Sequence, residues 1–253
     1  MKIAVLASGS KGNSTYIETK NTKSLIDAGM SNLYIENKLK DLNIEPDDIN
    51  NIFITHTHVD HIAGLRVFIK KHKPHVFLTQ KMYDELSKSI SFESYTLLED
   101  KAYISDLTVT YFKTSHDADD SVGYIFESED KDFVYVTDTG YINSKNFELL
   151  SNRNIYVFES NHDIELLMEN PNYPYHTKQR ILGDKGHLSN KDSSYYLSKF
   201  VGNKTKDIVL AHLSEQNNNP DIALNTLKEK LNNENINIMI AKQNESTGLI
   251  EVW

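Results

Sequence analysis

His56, His58, Asp60 and His61 fall within six residues of one another, in the stretch "FITHTHVDHIAG" from Phe53 to Gly64. Imidazoles and a carboxylate at this density have the donor chemistry to share a cation. The run "NIFIT" ahead of them is apolar enough for a buried strand. Side chains alternate along a strand, so His56 and His58 fall on one face. Asp60 and His61 fall on the turn into a helix expected from about Asp60 to Lys71. One strand end can therefore aim two histidines at one metal ion and an Asp–His pair at a second. Two ions about 3.5–4 Å apart would clamp the attacking and leaving oxygens of a displacement. Two plainer alternatives stay open: a polar loop of hydrogen-bonded imidazoles, or a structural zinc site.

Distant partners are available. "KTSHD" places His116 at the end of a strand, "VYVTDTG" places Asp138 at the end of another, and "VLAHLS" places His212 at the end of a third. Each follows an apolar run, so the three strands are expected to end at one rim. The chain has no Cys, which removes thiolate sites and a disulfide framework. His and carboxylate donors suit zinc, manganese and iron alike.

The elements that must carry these residues alternate along the chain. "KIAVLAS", "STYIET" and "SLIDAG" read as strands, the first two parted by the turn "GSKGN". Ser31 can N-cap a helix through about Leu42, with Leu33, Ile35, Leu39 and Leu42 as its apolar positions. "HVFLT" follows as a strand. "LTVTYFKTSH" alternates apolar and polar residues. "VGYIFES" and "DFVYVTD" flank the turn-prone "EDKD" and read as a hairpin. "NIYVFES" follows a short helix. Helices are then expected over 164–169, 175–182 and 189–200. The strand "DIVLAHL", a helix through about Leu231, and the strands "INIMIAK" and "GLIEVW" end the chain. This order predicts two sheets covered by helices.

The combined pattern H-x-H-x-D-H, a later His, a later Asp and a final His resembles the metallo-β-lactamase superfamily. That resemblance implies a four-layer αββα sandwich of the α/β class and a single domain over residues 1–253. It implies that His56, His58 and His116 bind one divalent ion and that Asp60, His61 and His212 bind another. Asp138 would bridge the two, and a hydroxide between the ions would be the nucleophile. "LASGSKGNSTYIE", "FESNHD", "YPYHTKQRILGDKGHLSN" and "AHLSEQNNNP" narrow the match to the YycJ/WalJ-like subgroup. These are small bacterial proteins encoded with a cell-wall two-component system and assigned as 5′-to-3′ DNA exonucleases. His187 is similar to the His of a Gly-His-Ser motif in related tRNA-processing nucleases. With Asp60 it is the candidate catalytic residue, placed to protonate a leaving 3′-oxygen or to steady the charge of the scissile phosphate. As a plain alternative it is only the neighbour of the Ser189 helix cap.

Other residues extend the candidate site. "SGSKGN" can form a nest of backbone N–H groups for a phosphate, with Ser8, Ser10 and Asn13 as donors, or it is only a turn. Glu159, Asn161 and His162 follow a strand and could orient a metal-bound His, or form an ordinary loop. Lys178, Arg180 and Lys185 precede His187 and are the candidates for DNA backbone contacts. "RVFIKKHK" is a second basic stretch, and solvated helix faces account for both equally. His72, His75 and His176 lack such context and read as surface or local structural residues.

Composition limits the possibilities. With 39% apolar and 25% charged residues over 253 positions, the chain has the make-up of an ordinary globule. No run approaches the roughly 18 apolar residues of a membrane span, and the first apolar run is too short for a signal segment. A cytoplasmic home fits. A formal net charge of −9 argues against nonspecific nucleic-acid binding over the whole surface, though not against a local basic groove. The leading expectation is a two-metal exodeoxyribonuclease acting on DNA 5′ ends. The rivals are a hydrolase of RNA or of a small ester, thioester or cyclic phosphodiester, and a non-catalytic metal-binding regulator. The sequence leaves the metals and the oligomeric state open.

Overall fold

The computed structural model describes residues 1–129 and 131–252. Fourteen strands among the described residues form two seven-stranded sheets. The first sheet runs from β1 (Lys2–Ala7), β2 (Ser14–Glu18), β3 (Lys23–Ile26), β4 (Asn51–Phe53), β5 (His75–Leu78) and β6 (Tyr95–Leu97), with β14 (Ile250–Glu251) on the far edge of β1. The second holds β7 (Lys101–Ile104), β8 (Leu107–Lys113), β9 (Val122–Ser128), β10 (Lys131–Val136), β11 (Ile155–Glu159), β12 (Asp207–Ala211) and β13 (Asn237–Ile240) in that spatial order. Strands β3 to β6 are mutually parallel, as are β10 to β13, and the remaining pairs are antiparallel.

Strict alternation along the second sheet builds the four layers. Phe133, Tyr135, Val157 and Val209 face the first sheet and join the larger core. Their neighbours Val134, Val136, Phe158 and Leu210 face outward and join a second core. That outer core is closed by α5 (Phe147–Leu150), α8 (Asn190–Phe200) and α9 (Pro220–Leu231) through Leu150, Leu197, Phe200 and Leu227. On the other side α1 (Asn32–Asp41), α3 (Leu65–His72) and α4 (Gln80–Leu86) cover the first sheet with Ile35, Leu39, Phe68 and Met82. The short α2 (Val59–Ile62), α6 (Ile164–Glu169) and α7 (Tyr175–Leu182) complete the chain. This is the expected αββα sandwich. Among the described residues no helix is long and apolar enough to cross a membrane.

Several local expectations change. Ser31 caps α1 by accepting from Tyr34 N, and Ile35 and Leu39 are buried, but Leu33 is 65% exposed. The single helix expected from Asp60 breaks into α2 and α3 at Gly64, whose N–H donates to Ala28 O at 2.8 Å. A Cβ there would sit 2.2 Å from Met30 O, so only Gly allows the approach. Helix α4 and strands β6 and β7 were not expected from the sequence. The "EDKD" turn includes Asp130 and the last expected strand ends at Trp253, and both residues lie outside those described.

The topology has one consequence for chemistry. β8, β10, β11 and β12 all point the same way, so their C-terminal ends share one edge of the second sheet. β1, β3 and β4 likewise share an edge of the first.

Candidate metal centre

The loop after β4 is held by the exit of β3. Asp27 accepts from Thr55 N at 2.8 Å and Thr55 Oγ1 at 2.7 Å, and its Oδ2 lies 2.7 Å from His61 Nδ1. The backbone reinforces this, with Ala28 N donating to His61 O. With Nδ1–H committed to Asp27, His61 presents Nε2 to the site, the usual second contact of a metal-ligating imidazole. His56 and His61 are fully buried.

The second sheet brings the remaining donors across. His116 follows β8, Asp138 follows β10 and His212 follows β12. The rings of His56, His58 and His116 lie 4.7–5.2 Å apart. Donor atoms of these three lie within 4.8 Å of one another, as do those of Asp60, His61 and His212. Asp138 sits between the sets. Its Oδ2 is 3.0 Å from His61 Nε2, and its Oδ1 is 3.4 Å from His212 Nε2 and 3.8 Å from His116 Nε2.

The donors fit cations. His56 Nε2 is buried without a hydrogen bond, while His212 Nε2 and Asp138 Oδ2 have ion-pair neighbours but no well-aligned hydrogen bond, a cost that native interiors avoid unless a partner is supplied. Burial lifts the Asp138 carboxyl, but the His212 and His61 charges prevail and hold it well below the usual range. Burial and the imidazoles of His61, His116 and His58 hold His56 well below its usual value. Burial also lowers His61, but Asp138 and Asp27 prevail and push it up to about 10. An ionised carboxylate among crowded imidazoles asks for positive charge, which protons or divalent metal ions can provide.

A second layer surrounds these donors. Glu159 is buried at the end of β11. Its Oε1 accepts from His187 Nδ1 at 2.7 Å and lies 3.5 Å from His212 Nδ1, and its Oε2 accepts from Thr139 N. His187 stacks on His212 at 5.3 Å, with Nδ1 3.7 Å from Asp138 Oδ1. Asn161 Nδ2 donates to His212 O at 2.9 Å. His162, from the same loop, is buried with neither ring nitrogen partnered and belongs to none of the donor sets. Burial pulls it down to about 4.

The expected substrate donors divide. Ser8 Oγ is buried and accepts from His212 N at 2.7 Å. Asn13 is buried, exchanges hydrogen bonds with Gly9 and places Nδ2 3.0 Å from His61 Nε2. Both build the wall of the centre instead of offering free donors on an open nest. Ser10 is exposed on the same turn. Lys178 is also displaced from its expected role, because its Nζ donates to Met168 O at 2.6 Å and the residue is buried. Lys185 is exposed. Arg180 reaches the rim, where Nη1 donates to Asp117 Oδ2 at 2.9 Å. Asp117 Oδ1 lies 3.3 Å from His116 Nε2 and 3.6 Å from His58 Nε2. Asp27 and Asp117 were not singled out from sequence. The signals were an Asp two residues before Gly29 at a strand exit and an Asp directly after His116.

Residues 7–212 match the model of the metallo-beta-lactamase superfamily. The chain is 39% identical over 224 residues to a protein of Streptococcus pneumoniae named Exodeoxyribonuclease WalJ, covering 86% of this chain and 83% of that one. It is 35% identical over 227 residues to Exodeoxyribonuclease YycJ of Bacillus anthracis, covering 86% and 84%. Among solved structures it resembles the metallo-beta-lactamase fold protein YhfI of Bacillus subtilis, with a TM-score of 0.76, 13% identity and 97% and 98% coverage. It also resembles the short form of human tRNase Z, with a TM-score of 0.68, 13% identity and full coverage of both chains. At such identities the structures speak for the fold alone, whereas the matched span takes in every donor from His56 to His212, and the chain belongs to the metallo-beta-lactamase superfamily of metal-dependent hydrolases.

Proposed function

We propose that this chain is an exodeoxyribonuclease that removes nucleotides from DNA 5′ ends, working in the cytoplasm as one domain over its whole length. The observation that carries the proposal is the Glu159–His187 pair set against Asp138, a proton-bearing group beside a cluster of metal donors. The names of the two relatives supply the polymer. His56, His58 and His116 would hold one divalent ion, Asp60, His61 and His212 a second, and the Asp138 carboxylate would serve both. When bound, such ions polarise a phosphoryl oxygen and make water a competent nucleophile near neutral pH.

The chain's own residues have distinct tasks. Glu159 accepts Nδ1–H of His187 and so fixes the ring with Nε2 free. In the protonated form that Nε2–H would be delivered to the leaving 3′-oxygen. Asp60, partly exposed beside His61 and His212, would hold its ion at the open side of the site. Arg180, with Ser10 and Lys185 farther out, would meet the phosphates.

The test uses DNA and RNA duplexes with 5′-phosphates, labelled at either end, and protein reloaded with manganese, zinc or iron after chelation. Nucleotides should leave the DNA 5′ end only with metal present, and Asp138→Ala should slow this by at least 10³-fold, the scale of losing transition-state charge stabilisation. Near-normal turnover in that variant would overturn the two-ion proposal. Inertness on both polymers would overturn the nuclease and leave a hydrolase of small esters or phosphodiesters.

A further inference from the structure

The chain has a formal net charge of −9, yet α3 reads LRVFIKKH without an acidic residue and is followed by Lys73. Arg66, Lys70 and Lys73 line one side of a cavity of about 510 Å³ between α3 and residues 89–94. Arg66 and Lys70 are four residues apart, so like charges face each other along the helix, an arrangement that weakens it. Neither has an ion pair among the described residues. Lys71 does, reaching Glu36 at 2.8 Å. Lys73 reaches Glu93 at 3.5 Å, with both side chains open to solvent.

The wall opposite α3 is mixed, with Ile90 and Phe92 set among Ser89, Ser91, Glu93 and Ser94. Ile90 is buried there and Phe92 is half-buried. The Phe92 ring lies 5.9 Å from Tyr83 and 6.1 Å from Tyr95, and these two stack on each other at 4.6 Å. Cations beside the Phe92 ring match a nucleic acid strand, whose phosphates need positive charge and whose bases offer flat apolar faces.

The α3 wall of this cavity is tied to the metal centre, and α4, the helix ahead of the 89–94 wall, also touches the histidine loop. α3 continues directly from the loop bearing His56 to His61. On α4, Glu85 Oε2 accepts from Thr57 Oγ1 at 2.7 Å, and Thr57 lies between His56 and His58. Arg66 is five residues beyond His61, so chain reach alone keeps it within about 18 Å. That limit is no more than about five nucleotide steps along one strand of a duplex.

We infer that the α3 cavity is a second DNA contact, gripping the strand several nucleotides beyond the one held at the metal centre. The inference rests on the exodeoxyribonuclease reading for the identity of the polymer. The test measures binding of a fluorescent, cleavage-resistant phosphorothioate 30-mer to the metal-loaded protein across a salt series. The double variant Arg66→Glu/Lys70→Glu should lose at least tenfold in affinity and flatten the slope of log Kd against log salt by about 1.5. The control Lys228→Glu/Lys230→Glu makes the same charge change on α9, in the opposite helical layer, and should stay within twofold. Metal content of each variant, read by mass spectrometry, should match the parent and so exclude misfolding as the cause.

An α3 variant that binds like the parent overturns the inference, and so does an α9 control that loses as much. The two proposals fail separately. A parent that binds the 30-mer through α3 but never cleaves DNA refutes the nuclease and keeps the contact. Cleavage of DNA with α3-independent binding does the reverse.

Discussion

Asp27, Asp138 and His212 share an unusual backbone. Each is left-handed, with φ of 59°, 55° and 56°, within two residues of a strand end. For residues with a Cβ this costs about 1–3 kcal/mol apiece. The strain turns each side chain off the line of its strand and onto the rim, where donors from both sheets converge. Asp27 then fixes His61 through Nδ1. Asp27→Asn should therefore weaken retention of one metal ion by about 10–100-fold, measured by competition with a chelator. Retention within threefold would show that the carboxylate does not orient the ring. His187→Asn should lower kcat by 10²-fold or more while KM changes little, since only proton delivery is lost. A raised KM at constant kcat would move His187 from proton transfer to binding.

Among the elements, the outer helices are coupled by one buried carboxylate. Glu36 on α1 accepts from Lys71 and lies 2.9 Å from His72 Nε2, both at the end of α3. His72 also bonds Asp47, so its role is local and structural. The hydrogen bond from Lys71 leads in holding Glu36 down to about 2. A carboxyl depressed in the folded state adds stability that is complete above its unfolded pKa of about 4.5. That stability is lost as pH falls from there toward 2. Glu36→Gln should cost about 1–2 kcal/mol at pH 7, discounted because Lys71 is exposed to solvent. Urea midpoints of variant and parent should converge near pH 2–3, and a gap that persists there would refute the coupling. Such long-range ties explain what the sequence could not convey. The Gly64 break depends on the distant backbone of Ala28 and Met30, and the exposure of Leu33 depends on which face of α1 meets the sheet. Edge elements such as β6 and β7 alternate weakly because little covers them.

For the whole molecule, binding of cations and folding are one equilibrium. The donors come from residues 56 to 212 and both sheets, so no comparable site exists in the unfolded chain. Chelation should lower the Tm, and restoring metal should raise it with concentration, reflecting a stabilisation of about 2.7 kcal/mol at a hundredfold excess over Kd. A Tm indifferent to chelator would mean that the imidazole cluster stands without ions. The donor residues were legible in the sequence because each follows an apolar strand and their types match one chemistry. Their partners were less so. Asp27 and Asp117 look like ordinary strand-end acids, and Lys178 looks like a phosphate contact until its burial against Met168 O is known. Composition records the kind of side chain, while direction comes only from the packed sheets.

Ser8, at the first turn, holds the backbone of His212, and β14 pairs with β1. Segments more than 200 residues apart thus meet at both ends of β1. A chain emerging from the ribosome displays the histidine loop early, but it lacks the last donor until β12 has been made. Its β1 edge stays unpaired until β14 has been made. Synthesis order therefore acts as a safety catch: a chain that stops short of β12 lacks His212, and the full donor set arrives only once that strand has been made.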